Sequence, residues 1–215
     1  FDEQNNRYLL TGSYTDSLFF EYNDTLTSPG LRETFIASFD KDYNPLWIYK
    51  IGGDGLEIQS QIDIDDNNNI YVIGTFTSSN CSFKNDTVLE SDGSGDIYLA
   101  KFSSQGNLHW ANHIGRGGSM QQKGRIFVDN SNDLIATVDY TDSIIIANNK
   151  DTTLYSGPAS SNANVILKLD SSGLIYENHI YNIQTKGNNG TINMFGIQEH
   201  SGNYYFSGKF QDSVF

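Results

Sequence analysis

At 215 residues the chain is long enough to bury a sizeable core. It carries 13 Lys and Arg against 26 Asp and Glu, and the resulting net charge of −13 repels phosphate backbones and anionic lipid, which argues against nucleic acid as a partner. One cysteine, Cys81, excludes an internal disulfide framework, and no stretch approaches the roughly 18 apolar residues of a membrane-spanning helix, so membrane insertion is not expected.

In chain order, the first apolar run is YLLTGSY (8–14), followed by TFIASFD (34–40), PLWIYKIG (45–52) and QIDIDDNNN (61–69). The series then starts again: IYVIGTF (70–76), IYLAKFS (97–103), LHWANHIG (108–115) and RIFVDNSND (125–133). A third round reads LIATVDY (134–140), VILKLD (165–170), LIYENHIY (174–181) and FGIQEHSGN (195–203), and YYFSGKF (204–210) opens a fourth. The starts lie 62, 64 and 70 residues apart, and Gly12, Gly74 and Gly208 share one position that Val138 fills in the third copy. Repetition at such a period is the mark of a repeat architecture.

Each run is short, rich in β-branched and aromatic residues, and bounded by Asn, Asp, Ser and Gly. That pattern predicts strands, and no segment holds a 3.6-residue apolar period long enough for a helix. Tight turns are expected at Asp66–Asn69, Asn130–Asp133 and Ser201–Asn203, and at Asp42–Asn44, Gln105–Asn107 and Ser171–Gly173, where such residues accept positive φ. Four strands joined by tight turns form an antiparallel meander. A sandwich needs no repeat, whereas radial repetition of four-stranded sheets builds a β-propeller. The expected fold is therefore all-β: propeller blades over residues 1–215 as one region, with repeats 8–69, 70–133, 134–203 and a partial copy at 204–215. Trp47 and Trp110, with Tyr176 nearest to them in the third copy, are expected to pack between blades.

The runs IYVIGTF (70–76), LESDG (89–93), DIYLAKFSSQG (96–106) and HWANHIG (109–115) together resemble the SBBP-type β-propeller repeat of bacterial secreted proteins. The resemblance is close in the second copy, good in the first and weaker in the third. The abundance of Asn, Asp, Tyr and Ile resembles the versions found in Bacteroidetes. It implies an exported, extracellular or cell-surface protein of the kind handled by a type IX secretion machine, and it implies no reaction. Three copies and a stub cannot close a ring, so the remaining blades are expected from the same parent chain; the opening on Phe1 and the lack of a signal peptide also suggest a partial chain.

No sequence motif for a nucleophile, a phosphate loop or a zinc site occurs, so no catalytic residue, cofactor or metal is assigned. His113 and His179 occupy matching strand positions, as Lys50 does in the first copy, and are read as solvent-facing; His109 and His200 complete the set. The run from Asp63 through Asp65, Asn67 and Asn69 has a calcium-loop look but lacks the glycine and glutamate of that motif, and is read as a turn. The glycine-rich stretches IGGDG (51–55) and IGRGG (114–118) recur as connections between copies. Asp followed by Ser or Thr recurs at Asp16, Asp24, Asp86, Asp142, Asp151 and Asp212, which resembles an O-glycosylation sequon of exported Bacteroidetes proteins; the candidate acceptors are Ser17, Thr25, Thr87 and Ser143, each of which could instead begin a strand or turn.

The function expected is a non-catalytic binding or structural module of a larger secreted protein, with an unidentified protein or glycan as partner. The alternatives are a glycan-binding or carbohydrate-active propeller, with Tyr155, Tyr181 and Phe195 as stacking candidates, and a substrate captured with its export machinery. Two carboxylates converging in a central pocket would favour an enzyme.

Overall fold

The computed structural model describes residues 1–3, 5–20, 25–28, 30–83, 87–91, 95–116, 119–146, 152–156, 162–184 and 190–211. Those residues are strands and turns. The first group runs β1 (Arg7–Tyr14), a small hairpin of β2 (Ser17–Phe19) and β3 (Thr25–Thr27), then β4 (Glu33–Asp40) and β5 (Pro45–Gly52). The second begins with β6 (Glu57–Ile64) and β7 (Ile70–Phe76), has its hairpin in β8 (Cys81–Phe83) and β9 (Thr87–Leu89), and ends with β10 (Asp96–Phe102) and β11 (Leu108–Gly115). The third repeats the order: β12 (Ser119–Val128), β13 (Leu134–Thr141), hairpin β14 (Ser143–Ile146) and β15 (Thr152–Tyr155), β16 (Asn162–Leu169) and β17 (Ile175–Ile183). Last come β18 (Thr191–His200) and β19 (Asn203–Gln211).

Pairing is antiparallel throughout the named strands. The second sheet has the order β11-β10-β7-β6 and the third β12-β13-β16-β17; the first is β1-β4-β5 with β8-β9 added at its far edge, and β18-β19 form a fourth. The thirteen expected strand runs and the six expected turns are all found, with one shift of frame. The run that closes each sequence repeat pairs with the strand that opens the next, so β6 belongs with β7 and β12 with β13. Hydrogen bonding across the tight turn decides this, because a two-to-five-residue connection leaves antiparallel neighbours nowhere else to go.

The sheets stack in chain order. Ile36, Tyr49 and Ile51 of the first sheet share one apolar cluster with Ile70, Val72, Phe76, Tyr98 and Phe102 of the second. The opposite face of the second sheet, Tyr71, Ile73, Ile97 and Leu99, joins Leu134, Ala136, Val138, Val165 and Leu167 of the third. Strand β7 is thus buried along its whole length, which explains a run with no polar face. The small hairpins act as staples. Phe83 and Ser82 of β8 pair with Ile51 and Gly52 of β5 in the preceding sheet. Ile145 of β14 exchanges backbone hydrogen bonds of 2.7 and 2.9 Å with Arg116, just past β11. The hairpin β2–β3 lays Leu18, Phe20 and Leu26 over Phe35 and Ala37 on the outer face of the first sheet.

Glycine at the shared position has a cross-strand cause. Gly74 faces Tyr98 in the β7–β10 ladder and Gly12 faces Phe35 in β1–β4, so each glycine lies under a ring. In the third sheet the partner of Val138 is Val165. The ring and the glycine have been exchanged together for two valines, which keeps the space between strands filled.

Candidate functional site

Turns at one end of the stack are built alike. Asp65 Oδ1 accepts from the backbone of Asn67 and Asn69 at 2.9 and 2.8 Å, and Asp129 Oδ1 accepts from Ser131 and Asp133 at 2.8 and 2.9 Å. Both turns pass through positive φ, at Asn68 and Asn132. The turns then join in series from sheet to sheet: Asn5 Nδ2 donates to Asn68 Oδ1 (2.6 Å), Asp66 N to Asn132 Oδ1 (2.9 Å), and Asn130 N to Glu199 Oε2 (2.9 Å). Asp63 accepts from Val128 N in the following sheet at 2.8 Å, while the second oxygen of Asp65 takes the Tyr71 hydroxyl at 3.0 Å. Asp63 and Asp65 of the calcium-like run are therefore turn and junction residues whose carboxylates are committed to donors of this chain.

One cation per sheet completes these junctions. Arg7 Nε lies 2.7 Å from Asp2, and its Nη1 donates to the Ser104 carbonyl of the next sheet. Lys101 sits 3.9 Å from Asp65 and donates to the Ser171 carbonyl at 3.1 Å. Lys168 contacts Asp129 at 3.2 Å, Asp133 at 3.0 Å and the Tyr204 hydroxyl at 3.1 Å. Burial pushes the Asp129 carboxyl up, but hydrogen bonds from Tyr204, the turn backbone and Lys168 outweigh it and hold it below the usual carboxylate range. Lys101 and Lys168 hold one repeat position, where the first sheet has Ser38, and Arg7 from the neighbouring strand makes the bridge there instead.

The tryptophans also bridge sheets. Trp47 Nε1 donates to the Ser104 carbonyl at 3.1 Å, and its ring lies against Gly106, where φ is +78°. Trp110 lies against Gly173, φ +84°, in the equivalent turn of the third sheet. The third copy departs from this series. Counted from their matching turns, Glu177 and not Tyr176 stands where Trp110 does, and a register shift between Leu167 and Leu169 displaces the rest of β17.

The same displacement separates the two histidines. His113 is not solvent-facing: it stacks on Phe76 at 4.9 Å with Nε2 3.5 Å from Asp96, and burial, with Arg116 nearby, drives its pKa down to about 4, so it is neutral at pH 7. His179 is exposed beside Tyr176 and Tyr181. Cys81 is wholly buried, and burial raises its thiol pKa, which leaves it an inert packing residue.

A groove of about 750 Å³ runs along β5 between the hairpins β2–β3 and β8–β9, with Leu26, Ile48, Lys50, Asp54, Asn80 and Val88 on its walls. Behind it lie two carboxylates, Glu33 and Glu57, neither exposed to solvent. Lys50 Nζ is 2.8 Å from Glu33 and donates to the Thr27 carbonyl at 3.0 Å; the Tyr14 hydroxyl donates to Glu33 at 3.3 Å. Glu57 accepts from Gly53 N at 2.9 Å and from the Ser78 hydroxyl. Burial pushes Glu57 up to about 7 against those two hydrogen bonds, and the charges of Glu33 and Asp54 add to the shift. The pair ties the IGGDG connection, 51–55, to the next sheet. Asp54 is likewise spent within the protein, on Ser79 N and Oγ at 2.9 and 2.6 Å. A groove whose acids are sealed or already bonded offers shape and apolar contact, with Lys50 as its cation, rather than acid–base chemistry.

The four glycosylation candidates share a location that sequence spacing does not reveal. Ser17, Thr25, Thr87 and Ser143 are the first residues of β2, β3, β9 and β14, all on small hairpins. Asp16 and Asp142 turn the chain into those hairpins at positive φ. Thr25 is exposed and the other three are half-buried. Asp24, Asp86, Asp151, the 212–215 segment and the glycines of IGRGG at 117 and 118 lie outside the described residues. Tyr155, Tyr181 and Phe195 are exposed, on β15, β17 and β18, away from the groove. No protein-family model matches the chain, and no curated protein does.

Proposed function

We propose that the stacked sheets are blades of a β-propeller and that the chain is a non-catalytic binding or structural module of an exported protein, with the groove between hairpins as its recognition surface. The observation that carries this reading is the recurrence of one set of junction contacts from sheet to sheet: turn to turn, cation to carbonyl, tryptophan to glycine. Radial repetition needs such a set, because every sheet must meet its neighbour in the same way. The likeness of the repeats to the SBBP type supports an extracellular or cell-surface setting, and a rigid stack that holds variable hairpins suits recognition.

Immobilised chain screened against glycans and surface-protein fractions is expected to capture a ligand without turning over fluorogenic glycosides. Val88→Asp, placed on the groove wall, should weaken capture about tenfold, near 1.4 kcal/mol, with an unchanged melting curve. Glycoside turnover that disappears with Glu57→Gln would replace this reading with the carbohydrate-active one. Export is read separately: protein isolated from its native host is expected to exceed the polypeptide mass, and to lose the excess when Ser17, Thr25, Thr87 and Ser143 are all changed to Ala. A native mass equal to the polypeptide removes the glycosylated form of the proposal.

A further inference from the structure

Strand β19 is the counterpart of β7 and β13, yet its surroundings differ. Gly208 matches Gly74 and Val138, so Tyr205 matches Tyr71 and Ile135, and Phe210 matches Phe76 and Tyr140. Those four counterparts are buried in the second and third sheets, whereas Tyr205 is 56% and Phe210 59% exposed. Alternation along β7 turns Ile70, Val72 and Phe76 toward the preceding sheet. Tyr204, in the position of Ile70, does turn that way, since its hydroxyl lies 2.5 Å from Asp129 of the third sheet.

What covers Phe76 comes from three places: Tyr98 on β10, Phe83 on β8 through Tyr98, and His113 on β11. Around β19 the corresponding space is open among the described residues. On the side away from β18, β19 has no strand partner among the described residues. Beside it a groove of about 390 Å³ is lined by Ile135, Ile166, Lys168, His179, Tyr181 and Phe206. Tyr181 is 56% exposed there.

The geometry points to β19 and this groove as a receptor for one particular occupant: an antiparallel strand pair of the same repeat, whose first strand adds to the free edge of β19 and carries an aromatic ring opposite Gly208. The junction between the second and third sheets continues into this one through the Asn130–Glu199 and Lys168–Tyr204 contacts, so the occupant's position follows from that of β10 and β11. Its aromatic side chain follows from the glycine. Gly12 and Gly74 each face a ring across the ladder, and where the glycine is lost, at Val138, the ring is lost as well. Backbone hydrogen bonds to an exposed edge provide affinity, and pockets for alternate side chains provide selectivity. The inference concerns how the stack is completed and does not depend on what the hairpin groove recognises.

The test appends a copy of residues 96–115, the β10–β11 segment, to the full chain through a flexible Gly-Ser linker and follows amide hydrogen exchange. Exchange in β19 is expected to slow by on the order of a hundredfold, with β7 and β13 unchanged as the check on folding. A second extended chain, with the tyrosine of the copy that corresponds to Tyr98 changed to Ser, should recover less than a tenth of that protection. Exchange in β19 as fast with the copy as without it overturns the proposal. Equal protection by the Ser-bearing copy overturns the aromatic assignment. An unextended chain that runs as a dimer with β19 already protected names a second copy as the occupant instead, and also overturns it.

Discussion

Gly74→Val is expected to lower the unfolding free energy by about 3 kcal/mol, the upper range of core overpacking. A Cβ at Gly74 would lie 2.5 Å from Tyr98 Cζ and 2.7 Å from the Ile58 carbonyl oxygen, so both a wholly buried ring and a backbone would have to yield. Tyr98→Val alone is expected to cost a similar amount by leaving a cavity under Phe76 and Phe83, about 3 kcal/mol. The double substitution reproduces the Val138–Val165 pair that the third sheet already tolerates. Its cost should fall short of the sum of the two singles by about 2 kcal/mol, measured by urea unfolding in a double-mutant cycle. Simple additivity would show that the glycine and the ring are not a unit.

The second large effect is electrostatic. The Glu57 carboxyl titrates near 7 in the folded protein, against 4.5 as a free side chain. A raised acid pKa means that the folded state holds the proton more tightly than the unfolded chain. The associated stability is therefore complete below about pH 4.5, is lost as pH rises through the window to 7, and stays lost above it. At 1.4 kcal/mol per pH unit the loss is on the order of 3 kcal/mol. Glu57→Gln keeps an acceptor for Gly53 N and a neutral partner for Ser78 while removing the charge, so it should stabilise the protein by that amount at pH 8 and by little at pH 4.5. Denaturant melts of both proteins at the two pH values would measure it. A difference independent of pH would place the ionised carboxylate in a better-solvated setting than its burial describes.

The residues divide cleanly by what made them legible. Strand identity was readable in IYVIGTF, IYLAKFS and their relatives, because a strand buried on both faces must be apolar at nearly every position. Turn residues were readable too, since positive φ at Asn68, Asn132, Gly106 and Gly173 is a local steric demand that local sequence meets. The small hairpins are legible only as places where a strand or turn begins, which they are, because three- and four-residue strands carry too little alternation to register. Two side chains are misplaced by the sequence. His113 reads as solvent-facing because the ring of Phe76 that stacks on it comes from another strand. Tyr176 matches Trp110 when LHWANHIG and LIYENHIY are aligned by their leucines and shared Asn-His-Ile, an alignment one residue out from the matching turns.

The sequence by itself determined that this is an all-β chain of repeated antiparallel units, since periodicity, turn chemistry and repeat length are written in neighbouring residues. Only the tertiary structure decided which strand joins which sheet, which acids are sealed, and which aromatic surface is left uncovered. Those depend on partners some twenty to a hundred positions away: Arg7 on Ser104, Glu57 on Ser78, Gly74 on Tyr98. Contacts at that separation leave no local signature, because they depend on which strands the fold brings side by side, and no run of neighbouring residues records that.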